Sequence, residues 1–399
     1  MNWIGWILWG QILIRGAWIH RGDGTLPVRG DVLIQGDSIA AVGPVITALP
    51  GYQVIEAGGK HLYPALIGLS TPVGLVEIEA VRATRDNAEV GDFTPEVLAY
   101  TAFNIDSRVL PTLRANGILY AESAPQGGVI AGQSAVMRLF GRTREEAVVK
   151  PIAALHLYPP SLRPWLYASY EDQKKAAERA QKTWEALDQY LEKAARWCRG
   201  DSSEKDLRLR ALCPYLRGEY PVIWHVDAAE DIEAALHLSQ KWKLKAAIAG
   251  GSEAPRVASA LRRAAVPVIL TRTHRLPPAE DTPVSYAYTL PKVLQDSGLT
   301  VLLAHESFWN QRNLSYNAGT AAAYGLSPEE ALSLLTDKPA QWLGLRRLGR
   351  IAPGYLASLL LAEGDLLDMP TSTIQKIWLE GREISLSNNP QEQLFQKYR

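Results

Sequence analysis

Residues 60–78 read KHLYPALIGLSTPVGLVEI. Within them YPALIGLS (63–70) is a short apolar run framed by Pro and Gly, a length and setting that favour a strand buried on both faces over a helix. It ends in Ser70, Thr71 and Pro72. Five runs of the same kind follow: GILYAESA (117–124), PVIWHVDA (221–228), KAAIAGG (245–251), VPVILTR (266–272) and LTVLLAH (299–305). Amphipathic sequence lies after or between them. Buried parallel strands joined by helices build an α/β fold of the TIM (β/α)8 barrel type, expected over residues 58–345.

The flanks have a different period. QILIRGAWI, DVLIQGDSIAAVG and YQVIEA, within residues 11–56, are rich in Ile and Val and broken by Gly-Asp turns at 22–24, 30–31 and 36–37, a β-sandwich pattern. The end of the chain matches it with Gly349-Arg350-Ile351-Ala352-Pro353-Gly354, then ASLLLAEG and IQKIWLEGREI. Residues 171–198 carry apolar or small side chains at 177, 180, 184, 187, 191, 194 and 198, which predicts one long amphipathic helix packed on its own domain. With the polar loop 199–206 it forms a helical insertion near 160–215.

The 42 basic and 42 acidic residues cancel, so no field of one sign points to nucleic acid or an anionic membrane surface. MNWIGWILWGQ at the start is apolar but too short to span a bilayer, and no basic residue precedes it. Trp3, Trp6 and Trp9 are expected to pack on the first strand; the alternative is the remnant of an export signal. Cys198 and Cys213 are expected as two free thiols in a cytoplasmic protein, with pairing the alternative if the chain is exported to the periplasm. The glycines at 127, 128 and 132 lack the Lys-Ser/Thr ending of a phosphate cradle, and neither G-x-S-x-G nor H-E-x-x-H occurs.

This layout resembles the amidohydrolase superfamily, in particular its imidazolonepropionase-like branch. There the first barrel strand ends in Pro-Gly-x-Ile-Asp-x-His-x-His, which binds the catalytic metal. Here the frame runs Pro64, Ala65, Leu66, Ile67, Gly68, Leu69, Ser70, Thr71, Pro72, so Ser70 and Pro72 fill the histidine slots and Gly68 the Asp slot. Residues 81–118, 126–137 and 313–345 are also similar to the branch. The resemblance implies that residues 1–57 and 346–399 combine into one small β-sandwich beside the barrel. Ser358 stands where the family usually has Asp.

Four of the seven histidines are placed for chemistry: His156, His225, His274 and His305. His225 ends PVIWHVDA, which is similar to the fifth barrel strand, where the family has a metal-ligand His; hydrogen bonding alone is the other reading. Asp227 shares its face. Glu253 in GGSEA is a ligand-pocket carboxylate or a helix cap. In LTVLLAHESFW, Glu306 falls in the slot of the family's general base, beside His305. His274 lies in a polar loop. Ser70, Asp227, Glu253, His274 and His305 are therefore the expected pocket, with His225 and Glu306 catalytic and His225 the one metal ligand. The cofactor is none or one divalent metal, zinc foremost. Arg82, Asp86, Glu89, Asp106, Arg108 and Arg114 are expected to form an ion network near the barrel mouth, with a polar substrate pocket as the other reading.

Two functions follow from the resemblance. One is a hydrolase of carbon–nitrogen bonds in cyclic amides with a degenerate metal site. The other is a silent barrel that binds a small molecule or pairs with a related amidohydrolase or with itself.

Overall fold

A computed structural model describes residues 11–163, 168–200, 205–277, 280–387 and 389–398. The expectations for Trp3, Trp6 and Trp9 lie outside the described residues. Eighteen strands are described. The first five are β1 (Ile12–Ile19), β2 (Val28–Gln35), β3 (Ser38–Gly43), β4 (Gln53–Glu56) and β5 (His61–Pro64). Next come β6 (Leu66–Thr71), β7 (Ile118–Ser123), β8 (Ile130–Gln133), β9 (Ala135–Arg138), β10 (Val148–Lys150) and β11 (Leu155–Leu157). The last seven are β12 (Val222–Val226), β13 (Ala246–Gly250), β14 (Val268–Leu270), β15 (Val301–Leu303), β16 (Leu359–Glu363), β17 (Thr373–Leu379) and β18 (Arg382–Ile384).

Both ends of the chain enter one sheet. Its order is β18-β17-β16-β5-β1-β2-β3, with β4 on β1, and β16 pairs antiparallel with β5 from Leu359 opposite Pro64 to Ala362 opposite His61. The strands expected to form a two-layer sandwich thus share a single hydrogen-bonded sheet. Its apolar core joins Ile14, Ile19, Val32 and Leu62 to Ile351, Leu359 and Trp378. The pairing of β1 with β2 is interrupted at Gly16, whose φ of 70° accommodates a bulge between Ile14 and Ala17. The Gly16 N–H donates to buried Asp31 at 2.8 Å, which fixes the bend.

The central segment is a mixed α/β body around one large apolar core. Strands β11 to β15 run parallel in the order β11-β12-β13-β14-β15, with β8 antiparallel on β11. Strand β6 pairs parallel with β7 in a second sheet completed by β9 and β10. No ladder closes these two sheets into one ring among the described residues. The expected strand runs are present but shorter, and 63–70 is divided by Ala65 into β5 and β6, which belong to different sheets. That break is where the chain passes from the terminal sheet to the central body.

The predicted amphipathic helix spans Tyr170–Cys198, with Ser169 capping the Asp172 N–H. It buries Ala180, Trp184, Leu187, Leu191 and Ala194. Trp184 stacks on Trp224 of β12 at 5.7 Å and donates to the Pro160 carbonyl, so the stripe packs on its own domain. The expectation of two free thiols is corrected: Cys198 bonds to Cys213 of the helix Leu207–Leu216. The pair joins the ends of two helices packed side by side, a proximity that the polar loop between them hides in the sequence. Among the described residues no helix is long and apolar enough to cross a membrane.

Candidate functional site

Strand β6 does not end as an ordinary strand. Ser70 has φ 48°, a left-handed conformation that costs a non-glycine residue about 1–3 kcal/mol. Its N–H donates to Glu122 Oε2 at 3.1 Å, and the Thr71 carbonyl accepts the Ala124 N–H at 2.9 Å. The hydroxyls of Ser70 and Thr71 are both buried without a partner, an arrangement native proteins rarely leave without cause. Pro72, the next residue, faces a cavity of about 430 Å³ shared with Arg85, Asn87, Gln126, Glu306 and Ser307.

Glu122 is the centre of the arrangement. It stands near the C-terminal end of β7 and is wholly buried. Besides Ser70 it accepts the Ser134 hydroxyl at 2.7 Å and meets His156 Nε2 at 3.2 Å. His156, in the middle of β11, is also wholly buried, and its Nδ1 lies 2.9 Å from His225 Nε2. His225, on β12, is only partly buried, and the Tyr158 ring stacks on it at 3.8 Å and 12°. A carboxylate and two imidazoles from three strands thus form one hydrogen-bonded row leading outward. Burial, aided by the neighbouring His156 ring, holds His225 well below the usual imidazole range.

The other expected residues are placed elsewhere. Asp227 Oδ1 accepts the Ser252 N–H at 3.0 Å and pairs with Arg275 at 3.5 Å. Glu253 is held by Arg163 at 2.6 and 2.8 Å and by Arg256 at 3.0 Å, and it accepts the Ala229 N–H at the start of the helix Ala229–Lys241. Chiefly because Arg163 donates to it, its carboxyl is lowered to about 2. It caps the helix before it in the chain rather than the one after. His274 hydrogen-bonds Thr320 Oγ1 at 2.6 Å, and its pKa is lowered by burial. His305 is buried and accepts the Ser307 N–H at 3.2 Å. Glu306 pairs with Arg272 at 3.1 Å through one oxygen, while the other is buried without a partner. The structure therefore gathers His225 with His156 and Glu122, and Glu306 with Arg272.

The expected ion network after the first strand is corrected. Arg82, Asp86, Glu89, Asp106 and Arg108 make no salt bridge among the described residues. Arg82, Asp86 and Glu89 lie exposed in the loop, where water screens their charges. Arg114 is buried and donates to the Leu139 carbonyl. The neighbouring Arg85 and Asn87 line the cavity instead.

The fit of these side chains to a catalytic metal can be tested directly. Such a site takes three protein donors and leaves one position open. Among the described residues no three His, Cys, Asp or Glu side chains converge to hold an ion. Both His156 nitrogens are engaged within the row. Ser70 and Pro72 add no imidazole. The donor set does not fit, and no ligand set is assigned.

Comparison with known proteins places the chain in a family. The chain is 23% identical, over 95% of its length, to a protein named amidohydrolase tasK of Hapsidospora irregularis, and covers 40% of that protein. It is 24% identical, over 94% of its length, to an adenine deaminase of Deinococcus deserti, covering 60% of it. The chain thus spans less than two thirds of either relative. The crystal structure of an amidohydrolase from Thermotoga maritima MSB8 superposes with a TM-score of 0.80 at 23% identity, over 94% of this chain and 99% of that one, a likeness of fold. The amidohydrolase family profile matches residues 169–385, more than half of the 399 residues, and the chain belongs to that family.

Proposed function

We propose that the chain is a hydrolase of carbon–nitrogen bonds other than peptide bonds, with cyclic amides as its substrate class and a degenerate metal site of the imidazolonepropionase-like branch. The observation that carries the reading is the Glu122–His156–His225 row, in which three strands each give one side chain to a single hydrogen-bonded chain. A polar row in an apolar core costs stability and is kept where chemistry uses it. Relatives named amidohydrolase and deaminase support the reaction class. Within the proposal, His225 and Glu306 do the chemistry, and Ser70 is joined to the row through Glu122; Asp227, Glu253, His274 and His305 are held by partners of their own. The β6–β7 pair and β11 to β15 wall one barrel, supported by their common core. The domain division at residues 57 and 346 is supported by the separate core of the terminal sheet. The Cys198–Cys213 bond favours an exported protein over a cytoplasmic one.

A second reading, a silent scaffold that binds a small molecule or pairs with a related amidohydrolase, has one observation in its favour: the lack of a converging metal-donor set among the described residues. The experiment is hydrolysis of hydantoin, dihydrouracil, adenine and simple anilides by purified protein, with and without added zinc. Turnover that disappears in His225→Ala supports the hydrolase. No turnover under either condition leaves the scaffold.

A further inference from the structure

We propose that His225 is the proton acceptor of a metal-independent hydrolytic centre, and that Glu122 acts through His156 to fix its tautomer and orientation. This rests on the hydrolase reading and names how that site works.

The hydrogen bonds dictate the tautomers. Glu122 takes the Ser70 N–H at one oxygen and the Ser134 hydroxyl at the other, so it is the acceptor of its cluster. His156 must then donate from Nε2 to Glu122 Oε1 at 3.2 Å. Taken with one proton on each imidazole, His156 carries its lone pair on Nδ1. At 2.9 Å it accepts from His225 Nε2–H. His225 Nδ1 is left with a lone pair and no protein partner among the described residues. The row is also polarised by burial: Glu122 and His156 are fully enclosed, and His225 alone is partly open. Tyr158 holds the His225 ring in plane. A metal at that lone pair would need two further protein donors, and none converge among the described residues. What the lone pair can take without other donors is a proton.

The step balances with water alone. His225 Nδ1 removes a proton from water as the water oxygen bonds to the substrate's amide carbon. The carbon–nitrogen bond then breaks as His225 returns that proton to the leaving nitrogen. One water is consumed, and a cyclic amide opens to a single product that carries both the acid and the amine. While His225 is an imidazolium, its Nε2–H remains donated to His156, and the Glu122 carboxylate stabilises the charge through the row. Glu122 and His156 do not touch substrate, so they are positioning residues.

The test uses the full chain and one amide that it turns over. Turnover should be unchanged after dialysis against 1,10-phenanthroline, with far less than one zinc per chain by elemental analysis. Glu122→Gln and His156→Asn should lower kcat on the order of 100-fold or more while KM stays nearly constant. Side-chain nitrogen NMR of the unmodified protein should show His225 protonated at Nε2, and that tautomer should be lost in His156→Asn. A metal that co-purifies with activity and is removed with it leaves the hydrolase reading standing and overturns this proposal. So does an Nδ1–H tautomer of His225, or variants that raise KM alone. Absence of turnover on every amide removes the hydrolase reading, and this proposal with it.

Discussion

Replacing Glu122 by Ala is the most direct probe of the buried row. The substitution removes the acceptor of three donors: the Ser70 N–H at 3.1 Å, the Ser134 hydroxyl at 2.7 Å and His156 Nε2 at 3.2 Å. Ser134 has a second acceptor, the Ala154 carbonyl at 3.2 Å, and can turn to it. The Ser70 N–H and the His156 ring are left with a buried donor each, at about 1–3 kcal/mol apiece. Removal of a buried charge returns part of that. The net expectation is a loss of about 3 kcal/mol. Glu56→Ala is the control, because the Arg15–Glu56 pair at 3.0 Å is open to water and should cost no more than about 0.5 kcal/mol. Urea unfolding of both variants, followed by tryptophan fluorescence, gives the comparison. A Glu122→Ala midpoint equal to that of Glu56→Ala would refute the claim that the carboxylate satisfies three buried donors.

Four histidines, His61, His225, His274 and His305, are all held below the ordinary imidazole value, chiefly by burial. The unfolded chain therefore takes up protons first: stability is full above about pH 6.5 and falls below it, by up to about 1.4 kcal/mol per pH unit for each group. A melting temperature that is flat from pH 7.5 to 5 would contradict this. Arg163→Ala should let the Glu253 carboxyl rise from about 2 towards the usual range, as read by NMR titration. Because that depressed carboxyl stabilises the fold above its unfolded pKa and loses the effect as pH falls towards 2, the variant should lose about 1 kcal/mol at pH 7 and nothing at the acid end. Reduction of Cys198–Cys213, 15 residues apart, should lower stability by up to about 3 kcal/mol; identical unfolding with and without reductant would count against the bond.

The strands of the terminal sheet were readable from their Ile and Val content and from the Gly-Asp pairs at 22–24 and 36–37, whereas Gly30-Asp31, expected as a turn, lies inside β2, and the joining of the two ends came from the family resemblance. The parallel strands β12 to β15 were readable as apolar runs, though each is trimmed at its ends. Strands β8 to β11 were missed, since three or four residues show no period. That hid the strand carrying His156, which sequence had only noted as one of four candidate histidines. Glu122 was missed altogether. Inside GILYAESA it looks like one polar residue in an apolar strand, and its partners lie 52, 34 and 12 residues away. The signal that could have found it was the rarity of a carboxylate in such a run, which demands a buried partner. His225 was legible because it closes a long apolar run. Its neighbours were not, because they reach it only across strands.

The sheet that unites both ends of the chain sets an order on the protein's birth. Strand β5 pairs with β1 on one side and with β16 on the other, about three hundred residues later. As the chain leaves the ribosome, β5 waits with one edge unpaired until residues 359–362 arrive. During that interval it can recruit a strand from another chain, as exposed edges do. A truncation that stops before β16 should therefore yield not a smaller working protein but one that aggregates through β5. Residues 359–384 act as the clasp of the fold.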